Sequence, residues 1–238
     1  MSNEKPDEDL SALAKGGRQN FFGFLLRLVA RLPFLFIAGR LYGPDALGRF
    51  ASGAIGHEDF AFLIDWKHRV GFDYNLSRTT YQVIRENGGS LHGINLDPGF
   101  RHLIATADMR EMTPAQQTFF YSLDLNATPH QRLIAPLFTP CHGKKEGEDD
   151  ALCRARLYRV QVAWDSYMGQ ESAALARSLL DTPKEKLVVI AGAYHLAFGL
   201  GANLRFARHS SLPFLTLMSR ERTEGEAPLG FGDLIFWY

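Results

Sequence analysis

The chain has 238 residues, enough for one substantial core with an appendage, and its 26 basic side chains balance 26 acidic ones. That balance, with no basic stripe interleaved with aromatics, argues against a nucleic-acid partner. Two cysteines, Cys141 and Cys153, imply no disulfide framework. With His142 beside the first of them, their spacing matches no closed zinc pattern.

Residues 1–20 are polar and mixed in charge and read as a disordered tail. Residues 21–43, FFGFLLRLVARLPFLFIAGRLYG, contain no acid. They approach the length of a membrane span, but Arg27, Arg31 and Arg40 interrupt them and Pro33 would kink them. An Arg near a bilayer centre costs about 2.5–3.5 kcal/mol on insertion scales. The expectation is an apolar helix lying at a membrane interface or walling a bundle. The long acidic lead and the missing cleavage site do not fit a signal peptide, and no lipobox-like Leu-x-x-Cys is present. The expected localisation is membrane-associated, at the inner membrane, or cytoplasmic. Residues 12–51 resemble the first transmembrane helix and following loop of bacterial polysaccharide flippases of the Wzx type. Nothing later in the chain supplies a second such helix, so transport by this chain alone is not expected.

Residues 56–89 hold two helical patterns. The second places Leu76, Thr80, Val83 and Ile84 on one face, with Gly88 and Gly89 as its stop. Residues 90–96, SLHGINL, read as a short apolar strand with Asn95 as a backbone-capping residue. Pro98 marks a helix start. Thr113 with Gln116, and Thr128 with Gln131, are capping-box signals. A long helix follows the polar loop, with Leu157, Val160, Trp164, Tyr167, Met168, Leu175 and Leu179 at helical spacing. KLVVIAG, residues 186–192, reads as a buried strand of a parallel sheet. A short helix (ANLRFARH), a strand (LPFLTLMS) and a last strand (LIFWY) finish the chain. The predicted fold class is α/β: a mostly parallel sheet flanked by helices, incomplete at its N-terminal end, preceded by the apolar helix.

The strand at 186–191 runs into Gly192, Tyr194 and His195, then Gly199 and Gly201. Glycines let the backbone turn sharply and let a group approach closely. Imidazole is the commonest metal ligand, and phenolate can ligate haem iron. The bland alternative is a core histidine bonded to backbone beside a packed tyrosine. Trp164 reads as packing, and Asp65, Trp66 and Arg69 as a local buried group. The sequence holds no Ser-His-Asp signature, P-loop, G-x-G-x-x-G or H-E-x-x-H.

Four stretches carry a second resemblance: LIDWKHRVGFDYNL, LHGINLDPGFRHLIATADMREMTPAQ, QVAWDSYMGQ and VVIAGAYHLAFGLGANLRF. Together, over residues 48–238, they resemble the ChaN-like iron-regulated haem-binding lipoproteins, relatives of the Tiki and erythromycin-esterase-like superfamily. The resemblance implies an α/β domain that binds haem, in dimeric members with stacked haems and tyrosine plus histidine ligation. The family's Gly-x-x-His motif falls on Gly192 and His195, its Trp-Asp-x-x-Met motif on Trp164, Asp165 and Met168, and its loop histidine on His142. The family's opening strand with its Gly-Glu-x-His-type ending is missing. Its Leu-Tyr-Arg-Pro reads Leu76-Ser77-Arg78-Thr79, and the tyrosine after the Gly-x-x-His-Leu-Ala run is Phe198.

The expectation is therefore a binding protein more than an enzyme, serving iron or haem acquisition. Haem would be held by His195, Tyr194, Gly192 and His142, with His195 on the iron. A homodimer and a membrane contact through residues 21–43 are the expected associations. The alternatives are a metal-dependent hydrolase of the related superfamily, or a membrane-anchored remnant of a flippase fusion without a site. The domain division is a tail at 1–20, an apolar helix and loop at 21–47, and a truncated haem-binding domain at 48–238.

Overall fold

The computed structural model describes residues 43–69, 73–141, 144–180 and 186–238. The apolar stretch 21–42 and His142 lie outside the described residues. Helices dominate. Four of them come first among the described residues: α1 (Gly43–Ala51), α2 (His57–Leu63), α3 (Trp66–Arg69) and α4 (Asn75–Glu86). They enclose one aromatic-rich core of Leu47, Phe50, Phe60, Ile64, Trp66 and Tyr81. Phe60 meets Phe50 at 4.6 Å and Tyr81 at 5.0 Å between ring centroids, distances at which aromatic pairs attract beyond their area burial. His57 belongs to this core: Tyr74 Oη lies 2.7 Å from its Nδ1 and Gln82 Oε1 2.7 Å from its Nε2. The buried face of α4 is Ser77, Thr80 and Tyr81, not the predicted Leu76, which is exposed. The large Tyr81 ring sets the helix rotation, because it buries more area than Leu76 would. The predicted stop holds: Gly88 follows the helix at φ +66°.

The next helices are α5 (Pro98–Thr106), α6 (Pro114–Tyr121) and α7 (Thr128–Ile134). Asp97 caps α5 through Phe100 N–H, with Pro98 in the first turn. Thr113 and Gln116 form the full reciprocal box at α6. The second predicted box fails. Ala127 is the N-cap of α7 and Thr128 is already helical, so its hydroxyl caps nothing.

The longest of the described helices, α8 (Asp150–Ser178), starts at the Asp149 cap, whose carboxylate accepts from Leu152 N–H. Its middle is buried on several sides, as befits a helix at the centre of a molecule. Ile104, Ile134, Val160 and Val162 share a second core, and Ile94, Met168 and Ala202 share a third. Helix α9 (Ala202–His209) packs along α8 at Gly169. A β-carbon on residue 169 would stand 2.5 Å from Arg205 Cβ and 2.7 Å from the Ala202 carbonyl oxygen, so only glycine fits there.

Among the described residues the sheet has two strands, β1 (Leu217–Arg220) and β2 (Leu234–Trp237), paired in parallel with Leu217 opposite Leu234. The α/β class stands. The predicted strands at 90–96 and 186–192 do not form, although both segments pack on α8 through Ile94, Val189 and Ala191. The reason is partnership. Residues 90–96 and 186–191 make no backbone–backbone hydrogen bond among the described residues. An apolar run reads as a strand from its side chains, but it becomes one only when a neighbour completes the ladder. Asn95 does cap backbone as expected, with its Oδ1 accepting from Leu96 N–H at 2.8 Å.

The cysteines overturn another expectation. Cys141 and Cys153 are joined by a disulfide. Neither thiol is free to ligate metal with His142. Twelve residues of separation are short enough for the polar loop to fold back onto the first turn of α8. Glu148 strengthens that closure by accepting from Arg156 Nε and Nη2, each at 2.8 Å.

Candidate functional site

The site grows from one face of α8. Tyr158, Gln161, Asp165 and Gly169 follow one another at three- and four-residue steps, so they line one stripe of the helix. Asp165 is wholly buried. An isolated carboxylate there would be costly, so it needs partners.

Two histidines supply them. His195 Nδ1 lies 2.5 Å from Asp165 Oδ1. His130, brought in by α7 and 1% exposed, sets its Nε2 3.0 Å from Asp165 Oδ2. That second contact does not have the geometry of a hydrogen bond. Burial by itself pushes the Asp165 carboxyl up; the contacts with His130 and His195 outweigh it and hold the group below its usual range. Asp165 is therefore ionised; it accepts from His195 and faces His130.

Gln161 and Tyr158 complete the cluster. Gln161 Nε2 lies 3.4 Å from Asp165 Oδ1 and 2.9 Å from His195 Nδ1. Against an ionised Asp165 the shortest contact decides: His195 Nδ1 carries the proton and donates it to Oδ1. Tyr158 Oη is 3.2 Å from His130 Nδ1. Burial pushes the Tyr158 phenol up to about 12, against the pull of the Arg205 charge, so it keeps its proton. Arg205 of α9 adds a buried positive charge that Asp165 favours, although burial pulls the guanidinium down.

His195 closes a short 3₁₀ turn, Ala193–His195, whose N-cap is Gly192. Its side chain is 21% exposed, and its Nε2 has no hydrogen-bond partner among the described residues. Three supports fix the turn. His195 N–H donates to the Gly192 carbonyl at 2.9 Å. Asn203 Nδ2 donates to the Leu196 carbonyl at 2.7 Å. Gly201 lies so close to the His195 carbonyl that a side chain there would overlap it. Trp164 stands edge-on to the His195 ring, 6.1 Å between centroids, with the Arg101 guanidinium 5.9 Å from the indole. Trp164 thus packs as predicted and also walls the imidazole.

The sequence-predicted residues come together in part. His195, Asp165 and Trp164 meet, and Gly192 sits under the His195 ring, with 3.6 Å between a would-be β-carbon and Cδ2. Tyr194 is 43% exposed in the same turn. His142 lies outside the described residues. Met168 is buried among Ile94 and Ala202, away from the polar cluster. Sequence reasoning missed His130, which it passed over as the middle of a capping box, and Tyr158 and Gln161, which share the Asp165 face of a helix already recognised. Their i, i+3 and i+7 spacing was the available signal.

The arrangement is a carboxylate–histidine pair in which the imidazole is partly exposed, the usual support for a metal-ligating imidazole. Among the described residues no cluster of three or more His, Cys, Asp or Glu is placed to hold a bare metal ion. A ligand that brings its own equatorial donors, as a porphyrin does, needs only axial groups from the protein. A pocket of about 380 Å³ is lined by Leu125, Phe138, Arg154, Tyr158 and Arg159; it reaches Tyr158 but not His195. No described helix is long and apolar enough to cross a membrane.

Comparison with known proteins gives three findings. Residues 44–206 match the family model described as haem-binding uptake, Tiki superfamily, ChaN. No curated protein matches the chain. A solved structure described as cofacial haem binding to ChaN of Campylobacter jejuni is similar in fold, with a TM-score of 0.58 and 16% sequence identity, covering 98% of this chain and 84% of that one. No finding supports the flippase resemblance, which falls mostly on residues outside those described.

Proposed function

The chain belongs to the ChaN family of haem-binding uptake proteins in the Tiki superfamily, and from that premise we propose that it binds haem, with His195 Nε2 as an iron ligand, in the service of haem or iron acquisition. The observation that carries the reading is the His195–Asp165 pair. Asp165 accepts a hydrogen bond from Nδ1–H and leaves the lone pair of Nε2 pointing away from the carboxylate, in a side chain that remains reachable. Haem would supply the iron; the chain would supply the oriented His195 imidazole, an aromatic wall at Trp164 and a turn fixed by Gly192 and Gly201.

Tyr194, exposed one residue earlier, is the proposed oxygen donor, acting on the same haem or on one held by a second copy. A homodimer is proposed for that reason, and His142 is retained as a further contact on the strength of the family resemblance. Residues 21–43 are proposed as a membrane contact on their composition, placing the protein at the inner membrane or in the cytoplasm, with the haem-binding domain starting near residue 48.

The test is a haem titration of the purified chain and of His195→Ala, followed in the Soret band. Saturable binding by the parent chain that weakens by about ten- to a hundred-fold in the variant is expected. Equal spectra and affinity in both chains would remove His195 from the iron.

A further inference from the structure

We propose that the pocket beside the first turns of α8 is a second binding site, separate from the His195 turn, for a small monocarboxylate with an apolar body. The proposal goes beyond the haem reading and uses none of the residues assigned to haem.

The walls come from three places in the chain. The segment before α7 gives Leu125, the 3₁₀ turn Ala135–Phe138 gives both of its ends, and α8 gives Ala155 and the buried Tyr158. Leu125, Ala135, Phe138 and Ala155 carry no polar side-chain atom, so a ligand gains from them only by burying apolar surface. Size narrows the class. A pocket of about 380 Å³ equals the liquid volume of about a dozen waters, so its occupant has about a dozen non-hydrogen atoms, far fewer than a porphyrin.

Charge sets the head group. Arg154 and Arg159 line the pocket, and no acidic side chain does. Arg159 gives Nε to the Ile104 carbonyl at 2.8 Å and Nη2 to the Ala105 carbonyl at 2.9 Å. Those acceptors are neutral and fix the guanidinium plane, while Nη1 has no partner among the described residues. The Phe120 ring lies 5.9 Å from the same group. Burial, followed by the Arg156 charge, pulls the Arg159 guanidinium down, a cost that a bound anion offsets. Arg154 meets Asp150 at 3.6 Å, but Asp150 also pairs with Lys144, so one carboxylate serves two cations. Asp124, next to Leu125 in the chain, faces Arg208 at 3.4 Å instead. A planar fork with a free donor matches a carboxylate better than any neutral group.

The walls are tied together covalently. Cys141 follows Phe138 by three residues and Cys153 directly precedes Arg154, so the disulfide joins the turn to α8 beside the pocket. Walls held before binding lose little freedom on it.

The experiment is a ¹H–¹⁵N NMR titration of the full chain without haem, using octanoate, naphthoate and the neutral naphthamide as probes. Saturable shifts at Ala135–Phe138 and Arg154–Arg159 are expected with a carboxylate. Naphthamide should bind about tenfold more weakly than naphthoate, and Arg154→Gln should weaken naphthoate about fivefold. Ala155→Leu fills the pocket from an exposed helix position that leucine suits, and should abolish binding. If Ala155→Leu does not fold by circular dichroism, Arg154→Gln decides. Failure of both carboxylates to saturate, equal affinity for naphthoate and naphthamide, or parent-like binding in folded Ala155→Leu overturns the proposal. Haem affinity of Ala155→Leu should equal that of the parent chain; a parallel loss would merge the two sites and overturn it as well. A chain that binds naphthoate in this way but takes no haem would sink the haem reading and leave the second site standing.

Discussion

Gly201 faces the backbone carbonyl of His195 with no room for a methyl group between them: a β-carbon there would stand 2.0 Å from the carbonyl oxygen. Alanine at residue 201 would have to push the His195 turn off α9 or bend the start of α9. Overpacking of this kind costs about 1–3 kcal/mol. Gly201→Ala should lower stability by that amount and weaken haem binding with it. Gly199→Ala is the comparison: at φ +67° with open space around it, it should cost only the backbone penalty of about 1–2 kcal/mol. Haem affinity equal in the two variants would show that the Gly201 contact does not place His195.

The Asp165 carboxyl gives the protein a signed pH response. Burial opposes ionisation, the two histidines favour it, and the balance holds the folded group below its unfolded value. A depressed carboxyl adds stability that is fully present above the unfolded value, about 3.9, and is lost as pH falls through the folded one. Between about pH 5 and pH 3, urea unfolding should show the parent chain losing more stability than Asp165→Asn. Parallel pH profiles would mean that the carboxyl carries no depressed value. At about pH 7, Asp165→Ala should cost about 3–5 kcal/mol, because it leaves the buried His130 and the partly exposed His195 without the carboxylate they face.

The Cys141–Cys153 bond joins residues twelve apart in the chain and closes their loop onto the start of α8. Loop-closure entropy assigns such a crosslink about 3 kcal/mol. Reductant should lower the urea midpoint of unfolding accordingly, and thiol titration of the denatured, unreduced chain should find no free thiol. Two titratable thiols before reduction would contradict the bond.

Residues 186–191 should exchange their amide hydrogens far faster than the middle of α8. They are packed by side chains but make no backbone–backbone hydrogen bond among the described residues. Exchange as slow as that of Val162 or Ala163 would show that their backbone has found partners.

Local signals were legible in the sequence, and partnership was not. Pro98 after Asp97, the Thr113–Gln116 box, Gly88 after α4 and the long run of α8 each depend on neighbours within a few residues, and each is in the structure. The run at 186–191 looked like a strand because Val188, Val189 and Ile190 favour one, but a strand needs a second chain segment that its own residues cannot specify. Cys141 and Cys153 failed for the same reason, since spacing alone does not encode pairing. His195 was found from its glycines. His130 was not, because its importance depends on a carboxylate 35 residues later in the chain, 165 against 130.

One helix sets the phase of the whole site. Tyr158, Gln161 and Asp165 are spaced by the 3.6-residue repeat of α8, over about 10 Å of axis, while no strand register contributes to their placement. Insertions in the loops around β1 and β2 would leave that phase alone. A single residue inserted in α8 between Tyr158 and Asp165 would turn the carboxylate about 100° around the helix, away from both histidines at once.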